Sequence, residues 1–368
     1  MKIAFLGDAL DLQYAGIHIY TREIIKAVAK QDTQNKYFVV RPVQNGFKID
    51  GVEELFAPVN TKIPLHQKIR AFTSIPNLMK SNEIDIVIEP AHFGPFLLPS
   101  KTKRVTVIHD ITPILFPNYH NSASHYVHKL FLPRITKNAD LIITNSEHTK
   151  NDLVEHYPNA KGKTEVVYLG KENQFVPTED ASILKKYKIN QTYLLFVGTL
   201  EPRKNLLVLV KAFDLLKKTI TTPLQLVLAG KMGWKSEELQ NAIEASEFKS
   251  DIIVTGYVER EELPVLYSMA KIFVYPSFYE GFGLPVLEAM ACGTPVVSSD
   301  TSSLPEVGGN AALYFSPNDV NALVNHLGNL LKDEKLYLQR KQLATEQGKL
   351  FSWEKAGAET IGLLNGLV

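Results

Sequence analysis

The apolar positions of this chain fall in short runs separated by stretches of helical length. In the first half the runs are 3–7, 37–41, 85–89, 104–109, 140–144 and 165–168. In the second half they are 193–198, 224–229, 252–255, 272–275, 295–298 and 312–315. Most are continuously apolar rather than alternating, the pattern of strands buried on both faces of a parallel sheet. Residues 17–30, 202–218 and 260–270 read as intervening helices, so the chain is expected to be α/β. The segment 173–191 is polar and carries Pro177, and Tyr193-Leu194-Leu195-Phe196-Val197-Gly198 then restarts the series. The pattern predicts two doubly wound, Rossmann-like domains, 1–172 and 173–350, facing a deep interdomain cleft, because such sheets take ligands beyond the carboxyl ends of their strands. The last stretch, 351–368, would either finish the second domain or cross back to the first.

Candidate chemistry follows those strand ends. Val107-Ile108-His109-Asp110-Ile111-Thr112-Pro113 puts a His-Asp pair after a buried strand. His109 would either bond a substrate hydroxyl or phosphate, or simply bond the backbone. Gly198-Thr199-Leu200-Glu201-Pro202-Arg203-Lys204-Asn205 places two cations at a helix start, where the dipole disfavours positive charge by a few tenths of a kcal/mol. A nearby anion such as a phosphate would compensate, and a solvated basic pair is the plainer alternative. Gly16, ahead of the helix 17–30, would let a backbone N–H approach a phosphate, or serve as a turn.

The densest stretch is 279–297, which carries Glu280 and Glu288 around Phe282-Gly283-Leu284-Pro285. On one helix the two carboxylates would lie about 12 Å apart along the axis. That exceeds the roughly 5–9.5 Å used in glycoside hydrolysis, so they do not read as a hydrolytic pair. Pro285 suits a first helical position, which leaves Glu280 in the loop and Glu288 early in the helix. The N–H groups of Phe282, Gly283 and Leu284 would then face a diphosphate, with Glu280 and Glu288 accepting from sugar and ribose hydroxyls. Loop capping and helix-dipole stabilisation are the structural alternatives for the two glutamates.

Glu280-x7-Glu288, the Gly198–Asn205 run, His109-Asp110 and Gly16-Ile17 occur in an order that resembles the family-4 retaining glycosyltransferases of the two-Rossmann GT-B fold. Among them, the chain looks most like bacterial mannosyltransferases of O-antigen or capsule assembly. The resemblance implies metal-independent transfer of a sugar, mannose from GDP-mannose being favoured, from a nucleotide diphosphate donor to a glycan or lipid-linked glycan. It implies that Arg203, Lys204 and Glu280 act with His109 at the reaction centre. Gly16, Asp110, Gly198, Phe282, Gly283, Leu284 and Glu288 would bind donor, with Tyr257 and Val258 as a base-binding edge. The family's basic pair is separated where Arg203 and Lys204 are adjacent, and Ala15-Gly16 stands where a doubled glycine is common. No metal and no cofactor beyond the nucleotide sugar is implied. A UDP-sugar transferase, a nucleotide-sugar epimerase of the same fold and a non-catalytic sugar-nucleotide-binding module are the competing readings. An NAD oxidoreductase is disfavoured, because no G-x-G-x-x-G with a following acid is present.

Composition narrows the partners. A formal net charge of +1 gives no general attraction to nucleic acid. One cysteine, Cys292, forms no disulfide framework and suits a cytoplasmic setting. No apolar run reaches the roughly 18 residues of a membrane span, and no leader pattern precedes the first strand. The basic, apolar segment 61–80 would lie on an anionic membrane surface or form an ordinary solvated helix. His120, His125 and His128 lack a neighbouring carboxylate or cysteine and are expected to contact acceptor rather than metal.

Overall fold

The computed structural model describes residues 1–12, 15–44, 48–60, 62, 69–91, 93, 96–119 and 122–367. It divides into two compact units, Met1–Gly170 with Ser352–Val368, and Lys171–Phe351. Among the described residues, the first unit holds a seven-stranded sheet. Its strands are β1 (Lys2–Leu6), β2 (Lys36–Arg41), β3 (Val52–Phe56), β4 (Ile86–Glu89), β5 (Lys103–Ile108), β6 (Leu141–Thr144) and β7 (Thr164–Val166). They are ordered β3-β2-β1-β4-β5-β6-β7 and all pair in parallel. The second unit holds a six-stranded parallel sheet ordered β10-β9-β8-β11-β12-β13. Its strands are β8 (Thr192–Val197), β9 (Leu224–Ala229), β10 (Ile252–Gly256), β11 (Ile272–Tyr275), β12 (Val296–Ser299) and β13 (Leu313–Phe315). Each sheet is doubly wound, as the apolar runs predict. The strand order reverses between β1 and β4 in one sheet and between β8 and β11 in the other, the points where such sheets bind ligands.

One strand escaped the sequence reading. β3 reads Val-Glu-Glu-Leu-Phe and is largely exposed, because it is an edge strand paired only with β2 and needs no continuous apolar run. The predicted helix 202–218 is also interrupted. Pro202–Lys204 form a short 3-10 turn, Asn205 adopts a left-handed conformation, and the α-helix runs over Leu206–Lys217.

In the first unit, Ala4, Leu6, Phe38, Val40 and Val87 pack against Ile75 and Met79 of the helix Ser74–Ser81. The apolar side of that helix therefore faces the core, and in the basic, apolar segment 61–80 the helix follows a short 3-10 turn at Arg70–Phe72. Residues 61 and 63–68 of it lie outside the described part, while Ile69 and Phe72 are exposed.

The helix Trp353–Asn365 returns to the first unit and packs on the helix Ala15–Gln31. Gly357 makes that approach possible, since a Cβ there would stand 2.9 Å from the Ala27 Cβ and 3.1 Å from its carbonyl carbon. Ser352 Oγ accepts from Lys355 N and caps the returning helix, and Gln31 Nε2 donates to the Glu354 carbonyl. Among the described residues no helix is long and apolar enough to cross a membrane.

Candidate active site

The second unit's switch point gathers the acids and cations that the sequence singles out. The chain leaving β8 supplies Glu201, Arg203 and Lys204, and the chain leaving β11 supplies Glu280. Lys204 Nζ donates to Glu280 Oε1 at 2.7 Å and to the Tyr275 hydroxyl at 2.9 Å. Arg203 Nη1 lies 3.1 Å from Glu280 Oε2 and donates to the Tyr279 carbonyl at 2.6 Å, while its Nη2 donates to Glu201 Oε1 at 2.8 Å. The anion that compensates the two cations is thus supplied by the protein itself, as Glu280 and Glu201. Arg203 and Lys204 also precede the long helix instead of opening it.

Burial by itself would raise the Glu280 pKa. The charges of Arg203 and Lys204 outweigh it and hold the carboxyl down at about 2, so it is ionised at neutral pH. Burial also lowers the Lys204 pKa from the ordinary lysine range, with Arg203 adding to the effect and Glu280 opposing it. A lysine ammonium carries three donors. Two serve Glu280 and Tyr275, and among the described residues the third has no protein acceptor.

Beside this cluster the helix Leu284–Ala291 begins at Gly283, whose φ of 108° places it in the left-handed region that favours glycine. A Cβ at Gly283 would meet Leu304 Cδ2 at 2.8 Å. Among the described residues, the N–H groups of Gly283 and Leu284 have no protein acceptor, and they sit at the positive end of the helix. The preceding loop is fixed by a serine pair absent from the sequence reading. Ser303 Oγ donates to the carbonyls of Glu280 and Phe282, both at 2.8 Å, and Glu280 N donates to Ser302 Oγ at 2.9 Å. The signal was the Ser299-Asp300-Thr301-Ser302-Ser303 run at the end of β12, next to β11. Phe282 itself is buried, with its ring edge-on to Phe351.

Glu288 sits one turn and more into the helix, away from Glu280's partners. Its Oε1 accepts from Arg260 Nη2 at 2.6 Å and its Oε2 from the Tyr267 hydroxyl at 2.9 Å. Arg260 also donates through Nε to Glu172 Oε2 at 2.6 Å and lies over the Phe175 ring. This network ties residue 172 to the second unit, which moves the boundary from 172 to 170. Burial pushes the Glu288 pKa up, and Arg260 and Tyr267 oppose it. Arg260→Met removes the cation between two buried acids and should destabilise the protein by about 3–5 kcal/mol. Calorimetry should then show a melting temperature lower by roughly 10 °C. A melting curve matching wild type would contradict a structural role for Arg260.

The remaining predicted residues are spread over both units. Gly198 follows β8 and donates its N–H to the Ala229 carbonyl. Tyr257, beyond edge strand β10, is 57% exposed, with Lys231 over its ring, whereas the Val258 side chain is 6% exposed and could meet a base only through its backbone. In the first unit, Gly16 is the second residue of the helix Ala15–Gln31, with open space where a Cβ would stand. His109 Nε2 lies 2.8 Å from the Pro90 carbonyl; a carbonyl only accepts, so Nε2 carries the proton. Tyr20 meets the ring edge-on, and burial lowers the His109 pKa, so the ring is neutral at pH 7. Asp110 Oδ1 accepts from Thr112 N and Oγ1 and shapes the turn after β5. His125 and His128 direct Nδ1 to the carbonyls of Pro113 and Ser124, and His120 lies outside the described residues.

Residues 14–172 match Glycosyltransferase Family 4 and residues 179–347 match Glycosyl transferases group 1. The chain is 34% identical to O-antigen chain mannosyltransferase B of Escherichia coli over 98% of both chains. The chain belongs to this glycosyltransferase family. The transferase is also 31% identical to O-antigen chain mannosyltransferase RfbU of Salmonella typhimurium, over 69% of this chain and 67% of that one. Its fold matches solved GT-B structures. These include sucrose-phosphate synthase of Thermosynechococcus elongatus, with a TM-score of 0.78, 20% identity, and coverage of 100% and 99% of the two chains. They also include Anabaena HepE in complex with UDP and glucose, with a TM-score of 0.75, 18% identity, and both chains fully covered at 100%.

Proposed function

We propose that the transferase moves mannose from GDP-mannose to a hydroxyl of a lipid-linked glycan in cell-surface polysaccharide synthesis, with retention of configuration and without a metal ion. The observation that carries the donor and acceptor is the 34% identity to O-antigen chain mannosyltransferase B across 98% of both chains. The second unit's switch point supports the chemistry. Preorganised donors aimed at a departing diphosphate stabilise the charge that develops there. The Lys204 ammonium, Arg203 and the N–H groups of Gly283 and Leu284 are such donors. The bond from the anomeric carbon to the diphosphate breaks, and the acceptor oxygen bonds that carbon on the same face. The acceptor proton passes to the departing phosphate oxygen. Glu280 keeps Lys204 and Arg203 charged and in place, and it accepts from a donor-sugar hydroxyl. Within the second unit, Glu288 with Tyr257 serves ribose and base. The lipid-linked acceptor brings exposed Ile69 and Phe72 to an anionic membrane surface.

Thermal stabilisation by a panel of GDP-, UDP- and ADP-sugars tests the donor. GDP-mannose at about 100 times its dissociation constant should add about 2.7 kcal/mol of stability. Stabilisation by UDP-sugars alone would overturn the GDP-mannose assignment.

A further inference from the structure

We propose that Asp8, Arg70, Glu89 and Thr106 form a subsite for a neutral sugar ring, the terminal unit of the acceptor, at the switch point of the first unit's sheet. The assignment rests on the transfer reaction proposed above and adds the residues that recognise its acceptor. Glu89 ends β4 and Asp8 follows β1, its sheet neighbour where the strand order reverses. Thr106 is the register partner of Glu89 on β5.

Arg70 carries the argument. It is 0% exposed, yet among the described residues only its Nη1 is satisfied, donating to Asp8 Oδ2 at 2.9 Å, and its Nε and Nη2 have no partner there. Among the described residues the Thr106 hydroxyl is likewise buried without a partner. Buried donors without acceptors are unfavourable, and a cluster of them beside two carboxylates marks a place where polar atoms of a ligand belong. The cluster reaches solvent through Asp8, whose side chain is 26% exposed. Arg70 is also held in position. The Ala71 carbonyl accepts from Phe96 N at 3.0 Å, and the Phe72 ring stacks on Phe96 at 4.6 Å.

The charges select the ligand class. Asp8 neutralises Arg70, and burial, with the Asp8 charge adding to it, pushes the Glu89 carboxyl well up. No surplus positive charge remains for a phosphate. Guanidinium donors, one carboxylate acceptor and one carboxyl that both donates and accepts suit the hydroxyl pairs of a sugar. The cluster adjoins His109 through the Pro90 carbonyl that follows Glu89.

Saturation-transfer NMR on the full chain tests this, with methyl glycosides of mannose, glucose, galactose and N-acetylglucosamine as probes. At least one should bind wild type, and Glu89→Gln and Arg70→Lys should each weaken it roughly tenfold, the loss expected for one hydrogen bond. The melting temperature of the isosteric Glu89→Gln protein and its affinity for GDP or UDP should match wild type. The proposal is overturned if no glycoside binds, which leaves a water-filled structural cluster. It also fails if inorganic phosphate displaces the glycoside, or if both variants bind as wild type does. Failure of GDP and UDP to bind wild type would instead sink the proposed donor reaction, so the two failures are separable.

Discussion

Glu280→Gln is expected to lower kcat by about 10²–10³-fold, the usual effect of disabling one preorganised electrostatic group. The variant keeps the side chain's size but removes the charge on which Lys204 and Arg203 converge, at 2.7 and 3.1 Å. It should also reduce stability, because a buried ammonium then lacks its counter-charge. The Glu280 carboxyl lies at about 2 in the folded protein against 4.5 for an ordinary glutamate. That displacement corresponds to about 3 kcal/mol. Because the folded value is depressed, the contribution is present above pH 4.5 and is lost as pH falls toward 2. The stability gap between wild type and Glu280→Gln should therefore be largest at neutral pH and close across that interval, as read by denaturant titrations at several pH values. A gap independent of pH would show that the ion cluster is not its source.

Lys204→Met should be more damaging to turnover than Arg203→Met, by about tenfold or more, with Lys204→Met alone costing about 10²-fold in kcat. Arg203 spreads its donors over the Tyr279 carbonyl, Glu201 and Glu280. Lys204 keeps one donor in hand beside the start of the helix at Leu284. Lys204→Arg should not restore activity, since a planar guanidinium does not reproduce a compact ammonium enclosed by Glu280 and Tyr275. Steady-state kinetics on the three variants decides the order. Equal loss in Lys204→Met and Arg203→Met would place the leaving-group contact on both.

How far the site was legible depended on whether a residue's partners were local. The strands were readable because parallel strands buried on both faces repeat one composition, as β8 and β9 do. Polar edge strand β3 carries no such mark. Gly283 and Pro285 announced a helix start, since backbone geometry requires those residue types there. Arg260 was invisible, because its meaning lies in Glu172 and Glu288, which are 88 and 28 positions away. The return of the helix Trp353–Asn365 to the first unit was equally undecidable, as its apolar face would suit either sheet. Arg70 looked like one more basic residue in a basic segment, and only its burial beside Asp8 sets it apart.

The most direct measurement is proton NMR of a reaction containing GDP-α-mannose, a lipid-linked glycan acceptor and a metal chelator. Retaining, metal-independent transfer from GDP-mannose predicts a new α-mannoside and an equal amount of free GDP, both strongly reduced with Glu280→Gln. A β-linked product, dependence on added metal, or transfer from a UDP-sugar but not from GDP-mannose would contradict it.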